Sequence, residues 1–75
     1  MLREQAVALI KELVANNLIC TSWVLIEERM PNSYELKFNG NFDHSLIDPV
    51  LQKHKVAIKK NKDKQYFVIF ETVDS

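Results

Sequence analysis

Residues 65–73, Gln65-Tyr66-Phe67-Val68-Ile69-Phe70-Glu71-Thr72-Val73, decide the fold. From Tyr66 to Phe70 the run is apolar at every position, too short for a buried helix and rich in aromatic and β-branched residues. A strand with both faces apolar belongs in the middle of a sheet. Just before it, Asn61-Lys62-Asp63-Lys64 carries turn chemistry and no apolar residue. Lys55 to Lys60 in front of that turn alternates, with Val56 and Ile58 on one side and Ala57 between Lys55 and Lys59 on the other. These segments predict a hairpin with lysines on its outer strand, where they discourage unwanted strand pairing.

Upstream, Ser45 to His54 predicts a helix with Leu46, Ile47, Val50 and Leu51 on its apolar side. Its start is either Ser45 as N-cap, or Asp48 as N-cap with Pro49 at the first helical position. A second hairpin precedes it. Ser33 to Phe38 sets Tyr34, Leu36 and Phe38 on one face and Glu35 and Lys37 on the other, and Met30-Pro31-Asn32-Ser33 turns back to a strand over Ser22–Glu28. At the start of the chain, Leu2, Ala6, Ile10, Leu13 and Val14 recur at helical spacing, ending at Asn16-Asn17, a residue type that tolerates left-handed backbone.

The order α-β-β-α-β-β predicts one α+β domain over residues 1–75. In its sharpest form the expectation is a two-layer sandwich with both helices on one face of a four-stranded antiparallel or mixed sheet. Numbering the four predicted strands in chain order, the sheet order is 3-4-2-1, a permuted ferredoxin-like layout. A shift of 32 residues lays Val24 on Val56, Ile26 on Ile58, Tyr34 on Tyr66, Leu36 on Val68 and Phe38 on Phe70. All ten residues are therefore expected to face the helices. Strand parity then sends Trp23, Leu25, Phe67 and Ile69 to the helix-free face, too much apolar surface to leave in water without a partner. These four are the expected partner surface, most simply for a homodimer or another small protein.

Ten basic and ten acidic residues cancel, so bulk charge recruits neither nucleic acid nor membrane. Locally, residues 53–64 hold six lysines and one acid, a charge of +5 that leaves −5 for the rest of the chain. Lys55, Lys59, Lys60, Lys62 and Lys64 are the candidate phosphate contacts of an alternative, nucleic-acid-binding function. Phe67-Val68-Ile69-Phe70 resembles the F-V-x-F end of the RNP1 motif of RNA-recognition domains, which implies base stacking by Phe67. The likeness stops upstream, where Lys64 replaces a glycine, Gln65 an aromatic and Tyr66 a small residue.

Catalysis is not expected. Asp43-His44-Ser45 holds triad residue types, but neighbours in sequence do not aim their side chains at one another in triad geometry, and the tripeptide reads as a turn into the second helix. Cys20, His44 and His54 lack short ligand spacing, so no metal is expected, and a single glycine excludes a glycine-rich phosphate loop; no cofactor is expected either. The lone Cys20 suits a reducing cytoplasm and is expected to pack as a small apolar residue. No stretch approaches the roughly 20 apolar residues of a membrane span. The expected function is a non-catalytic, self-associating interaction or regulatory module.

Overall fold

Alternation in the strands and a 3.6-residue stripe in the helices converge on one core. The computed structural model describes residues 1–61, 63 and 65–72. Helix α1 (Arg3–Ala15) buries Ala6, Leu9 and Leu13. Gln5 Oε1 accepts the Leu2 N–H at its start. At its end Asn17 takes a left-handed φ of 55°, and the Leu18 N–H returns to the Leu13 carbonyl. Helix α2 (His44–Lys53) buries Ile47 and Leu51. Its cap is neither Ser45 nor Asp48. Asp43 is extended, its carboxylate accepts the Ser45 N–H at 2.9 Å, and its carbonyl accepts the Ile47 N–H at 3.0 Å. That acid, two residues earlier than the first expected cap, satisfies the helix entrance, and Pro49 is left inside the helix.

The structure is α+β, with two helices, a four-stranded antiparallel sheet and a separate two-stranded sheet. The larger sheet contains β2 (Val24–Met30), β3 (Ser33–Phe38), β5 (Val56–Asn61) and β6 (Tyr66–Glu71), in the order β2-β3-β6-β5. The smaller pairs β1 (Ile19–Cys20) with β4 (Asn41–Phe42), and no sequence signal marked it. Gly40 makes it possible. Its φ is 105°, and a Cβ there would lie 1.7 Å from the Cys20 carbonyl oxygen.

Registry decides which face each residue takes. In the first hairpin Ile26 stands opposite Leu36, ten residues on; in the second, Ile58 stands opposite Ile69, eleven residues on. That single extra residue reverses every side chain of β6 relative to the 32-residue repeat, because side chains alternate with period two. Across the central seam Leu36 pairs with Ile69 and Phe38 with Phe67. Phe67 and Ile69 therefore face the core, while Tyr66, Val68 and Phe70 take the other face. Both sets are the reverse of the expectation.

The core joins Ala6, Leu9 and Leu13 of α1 and Ile47 and Leu51 of α2 to Leu36, Phe38, Val56 and Ile69 of the sheet. Phe67 packs against it, stacked on Phe38 with centroids 5.5 Å apart and edge-on to Phe42 at 4.7 Å. The helices are tied at their polar rims. Glu12 on α1 accepts from Lys53 Nζ at 2.8 Å and lies 3.0 Å from His54 Nε2 at the end of α2. Those hydrogen bonds, from Lys53 first and His54 second, hold the Glu12 carboxyl below its ordinary pKa.

Candidate interaction face of the sheet

The sheet face turned away from the core forms a small grid. One row crosses all four strands as Leu25, Lys37, Val68 and Lys59. The row nearer the β2–β3 turn holds Glu27 and Glu35 on one side and Phe70 and Ala57 on the other. Towards the β5–β6 turn, Trp23 meets Tyr66 edge to face at 6.1 Å. Trp23 and Leu25 are 43% and 46% exposed, whereas Val68, at the centre of the grid, is 4% exposed.

Trp23 is held in place rather than left loose. The Asn39 side-chain oxygen accepts the backbone N–H groups of Ser22 at 3.0 Å and Trp23 at 3.2 Å, and its amide donates to Ser22 Oγ at 2.7 Å. Two cations lie on aromatic rings. Lys37 Nζ is 5.6 Å from the Tyr66 centroid and Lys59 Nζ is 5.2 Å from that of Phe70, distances at which the ring quadrupole attracts a cation. Lys37 also donates to Glu27 at 2.8 Å, which raises its pKa despite partial burial. Arg29 Nη1 lies 3.4 Å from the carboxylate of Glu35, a residue only 8% exposed. Beyond Leu36 and Ile69 the β3–β6 ladder stops, and a cleft lined by Arg29, Tyr34, Glu35, Phe70 and Thr72 opens at that end.

No protein-family model, curated protein or solved structure matches this chain.

Of the four residues expected on the partner surface, Trp23 and Leu25 lie on this face and are exposed. Phe67 and Ile69 do not, because the longer second hairpin turns them into the core; Ile69 is wholly buried. Parity from β2 and β3 was enough to place Trp23 and Leu25. Tyr66, Val68 and Phe70 were missed, and the signal that would have found them is the number of residues in the second turn.

The structure divides the expected lysine cluster. Lys59 projects on the outer face and Lys60, opposite Phe67, on the core side of the edge strand. Lys55 has a left-handed φ of 57° at the junction of α2 and β5, and its carbonyl accepts the Thr72 N–H and hydroxyl. Lys62 and Lys64 lie outside the described residues. Base stacking by Phe67 is withdrawn, since its ring is held between Phe38 and Phe42.

Asp43 is committed to Ser45, whose N–H and hydroxyl both donate to it, and the His44 ring packs on Phe42 at 4.7 Å. Among the described residues no group of three His, Cys, Asp or Glu side chains is placed to hold a metal ion. No described helix is long and apolar enough to cross a membrane. Cys20 is exposed, contrary to its expected packing role, because β1 turns Ile19 into the core and its neighbour outward.

Proposed function

We propose that this chain is a non-catalytic, cytoplasmic interaction module that associates with a second copy of itself through the outer face of the sheet. The observation that carries the reading is the pair Trp23 and Leu25, exposed beside the half-buried rings of Tyr66 and Phe70. The Trp23 backbone is already held by Asn39, so burying the residue further adds no backbone ordering cost. Burying a large apolar side chain contributes roughly 1.5–3 kcal/mol, so several together offset part of the entropy of association. The acids and bases on this face are largely paired within the chain. A net charge of zero also adds no long-range repulsion between copies.

The strand order and the shared core of α1 and α2 support reading the architecture as the permuted ferredoxin-like, two-layer layout, with this face as its uncovered side. Sedimentation velocity across a concentration series tests the function. Wild type should form dimers, and Trp23→Ser with Leu25→Ser should remain folded and monomeric. A wild-type chain that stays monomeric at high concentration would overturn the proposal. Binding of a single-stranded oligonucleotide at low salt, lost on Lys59→Glu with Lys60→Glu, would establish the nucleic-acid function instead.

A further inference from the structure

We propose that Asn39-Gly40 is a site of spontaneous main-chain modification, guarded by the fold and converted to isoaspartate when the entrance to β2 opens. The pair is the only Asn-Gly in the chain, since Gly40 is its only glycine. The reaction brings the main-chain nitrogen after an asparagine onto that asparagine's Cγ, and glycine, lacking a Cβ, hinders the approach least. Gly40 is exposed, and among the described residues its N–H makes no hydrogen bond. The nucleophile is free.

The electrophile is not. The Asn39 side-chain oxygen accepts the Ser22 N–H at 3.0 Å and the Trp23 N–H at 3.2 Å, and lies 2.8 Å from Thr21 Oγ1. Its amide donates to Ser22 Oγ at 2.7 Å. Attack makes Cγ tetrahedral and swings oxygen and amide out of the plane in which these bonds are made. The bonds must loosen first, so conversion follows the population of the locally opened chain.

In the reaction the Gly40 nitrogen gives up its proton and bonds to Asn39 Cγ, while the bond from Cγ to the side-chain nitrogen breaks. That nitrogen leaves with a proton as ammonia, and a five-membered succinimide joins the two residues. Water then adds to one of the two ring carbonyls and cleaves its bond to the ring nitrogen. Cleavage at Cγ yields aspartate. Cleavage at the main-chain carbonyl yields isoaspartate, in which the chain runs through Cβ and Cγ.

The two products differ in fit. An aspartate still accepts both backbone N–H groups, and the Ser22 hydroxyl can turn to donate to it. Isoaspartate adds one methylene to the main chain between Phe38, which is wholly buried, and Phe42, whose ring meets it edge-on. The backbone there has no slack, because even a Cβ at Gly40 would lie 1.7 Å from the Cys20 carbonyl oxygen. The free carboxylate is then attached to Cα directly, one carbon short of where the Asn39 oxygen stood. Isoaspartate therefore parts β1 from β4 and releases Trp23.

The test ages the wild-type chain at neutral pH, in buffer and in denaturing urea. The tryptic peptide 38–53 is followed by mass spectrometry, and isoaspartate is scored with an isoaspartyl methyltransferase. Conversion at Asn39 should be at least about tenfold slower in buffer than in urea. Ser22→Ala, on an exposed residue, removes the acceptor of the amide and should speed conversion in buffer but not in urea. Chains aged in urea, refolded and separated by their added negative charge hold both products; Asn39→Asp supplies the aspartate alone. Trp23 is the only tryptophan and touches Tyr66, so emission of the aged chains should move to longer wavelength, whereas Asn39→Asp should keep the wild-type spectrum. No conversion in urea would overturn the site. Equal rates in buffer and urea, or an unchanged rate in Ser22→Ala, would overturn the guarding role, the donors then serving the developing oxyanion instead. Aged chains with the spectrum of Asn39→Asp would overturn the difference in fit.

Discussion

Asn39, Gly40 and Cys20 show how single residues set the surface. At Gly40, a φ of 105° and a Cβ position 1.7 Å from the Cys20 carbonyl exclude any side chain. Gly40→Ala should cost more than about 1 kcal/mol in urea denaturation, through both strain and loss of the β1–β4 pair. Cys20 itself is exposed, so Cys20→Ser should fall within about 0.5 kcal/mol of wild type in the same assay. Asn39 accepts two backbone N–H groups at the entrance to β2. Asn39→Ala should destabilise by about 1–2 kcal/mol in urea denaturation, because it leaves the Ser22 and Trp23 backbone N–H groups without their acceptor.

At the level of elements, the face assignment of β6 has a direct energetic signature. Phe38→Ala and Phe67→Ala remove core rings and should each cost about 3–5 kcal/mol, whereas Phe70→Ala, on the outer face, should cost clearly less in monomer stability. Equal losses at Phe67 and Phe70 would contradict the registry.

The two helices and the two hairpins were legible because their apolar spacing and turn residues agree. Trp23 and Leu25 were legible as outer-face residues because Tyr34, Leu36 and Phe38 fix the parity of the first hairpin. The other half of the site was not. In a strand apolar on both faces, such as 66–70, alternation carries no information about direction, and only the length of the preceding turn supplies it. The β1–β4 pair was illegible because two-residue strands have no period to read.

The tie between the helices yields a pH dependence. A carboxyl whose pKa is lowered on folding stabilises the native state above its unfolded value, and that contribution disappears as pH falls through the folded value. For Glu12 the loss begins near the ordinary carboxyl value of 4.5 and is complete only below it. Thermal melts of Glu12→Gln should therefore lie below wild type at neutral pH and converge with it in acid.

For the whole molecule, the proposed self-association would be linked to folding. A ligand that binds only the native state raises the melting temperature, and in the proposed self-association that ligand would be another copy of the chain. The midpoint should rise with protein concentration, and that dependence should vanish in Trp23→Ser with Leu25→Ser. A midpoint independent of concentration in wild type would separate stability from assembly.

The central seam carries a kinetic consequence. Each hairpin closes over a few residues, but β3 and β6 meet through only three pairs, between residues about 30 positions apart. Local loops close within microseconds, while distant strands pair later because the intervening chain must first give up its freedom. Two preformed hairpins joining at Leu36–Ile69 and Phe38–Phe67 would be the slow step. Trp23 belongs to one hairpin and Tyr66 to the other, so their ring contact exists only after the seam has closed. The indole is thus a built-in clock for folding. In stopped-flow refolding at dilutions too low for dimers, its fluorescence should change with the rate-limiting phase, and Phe38→Ala should slow that phase.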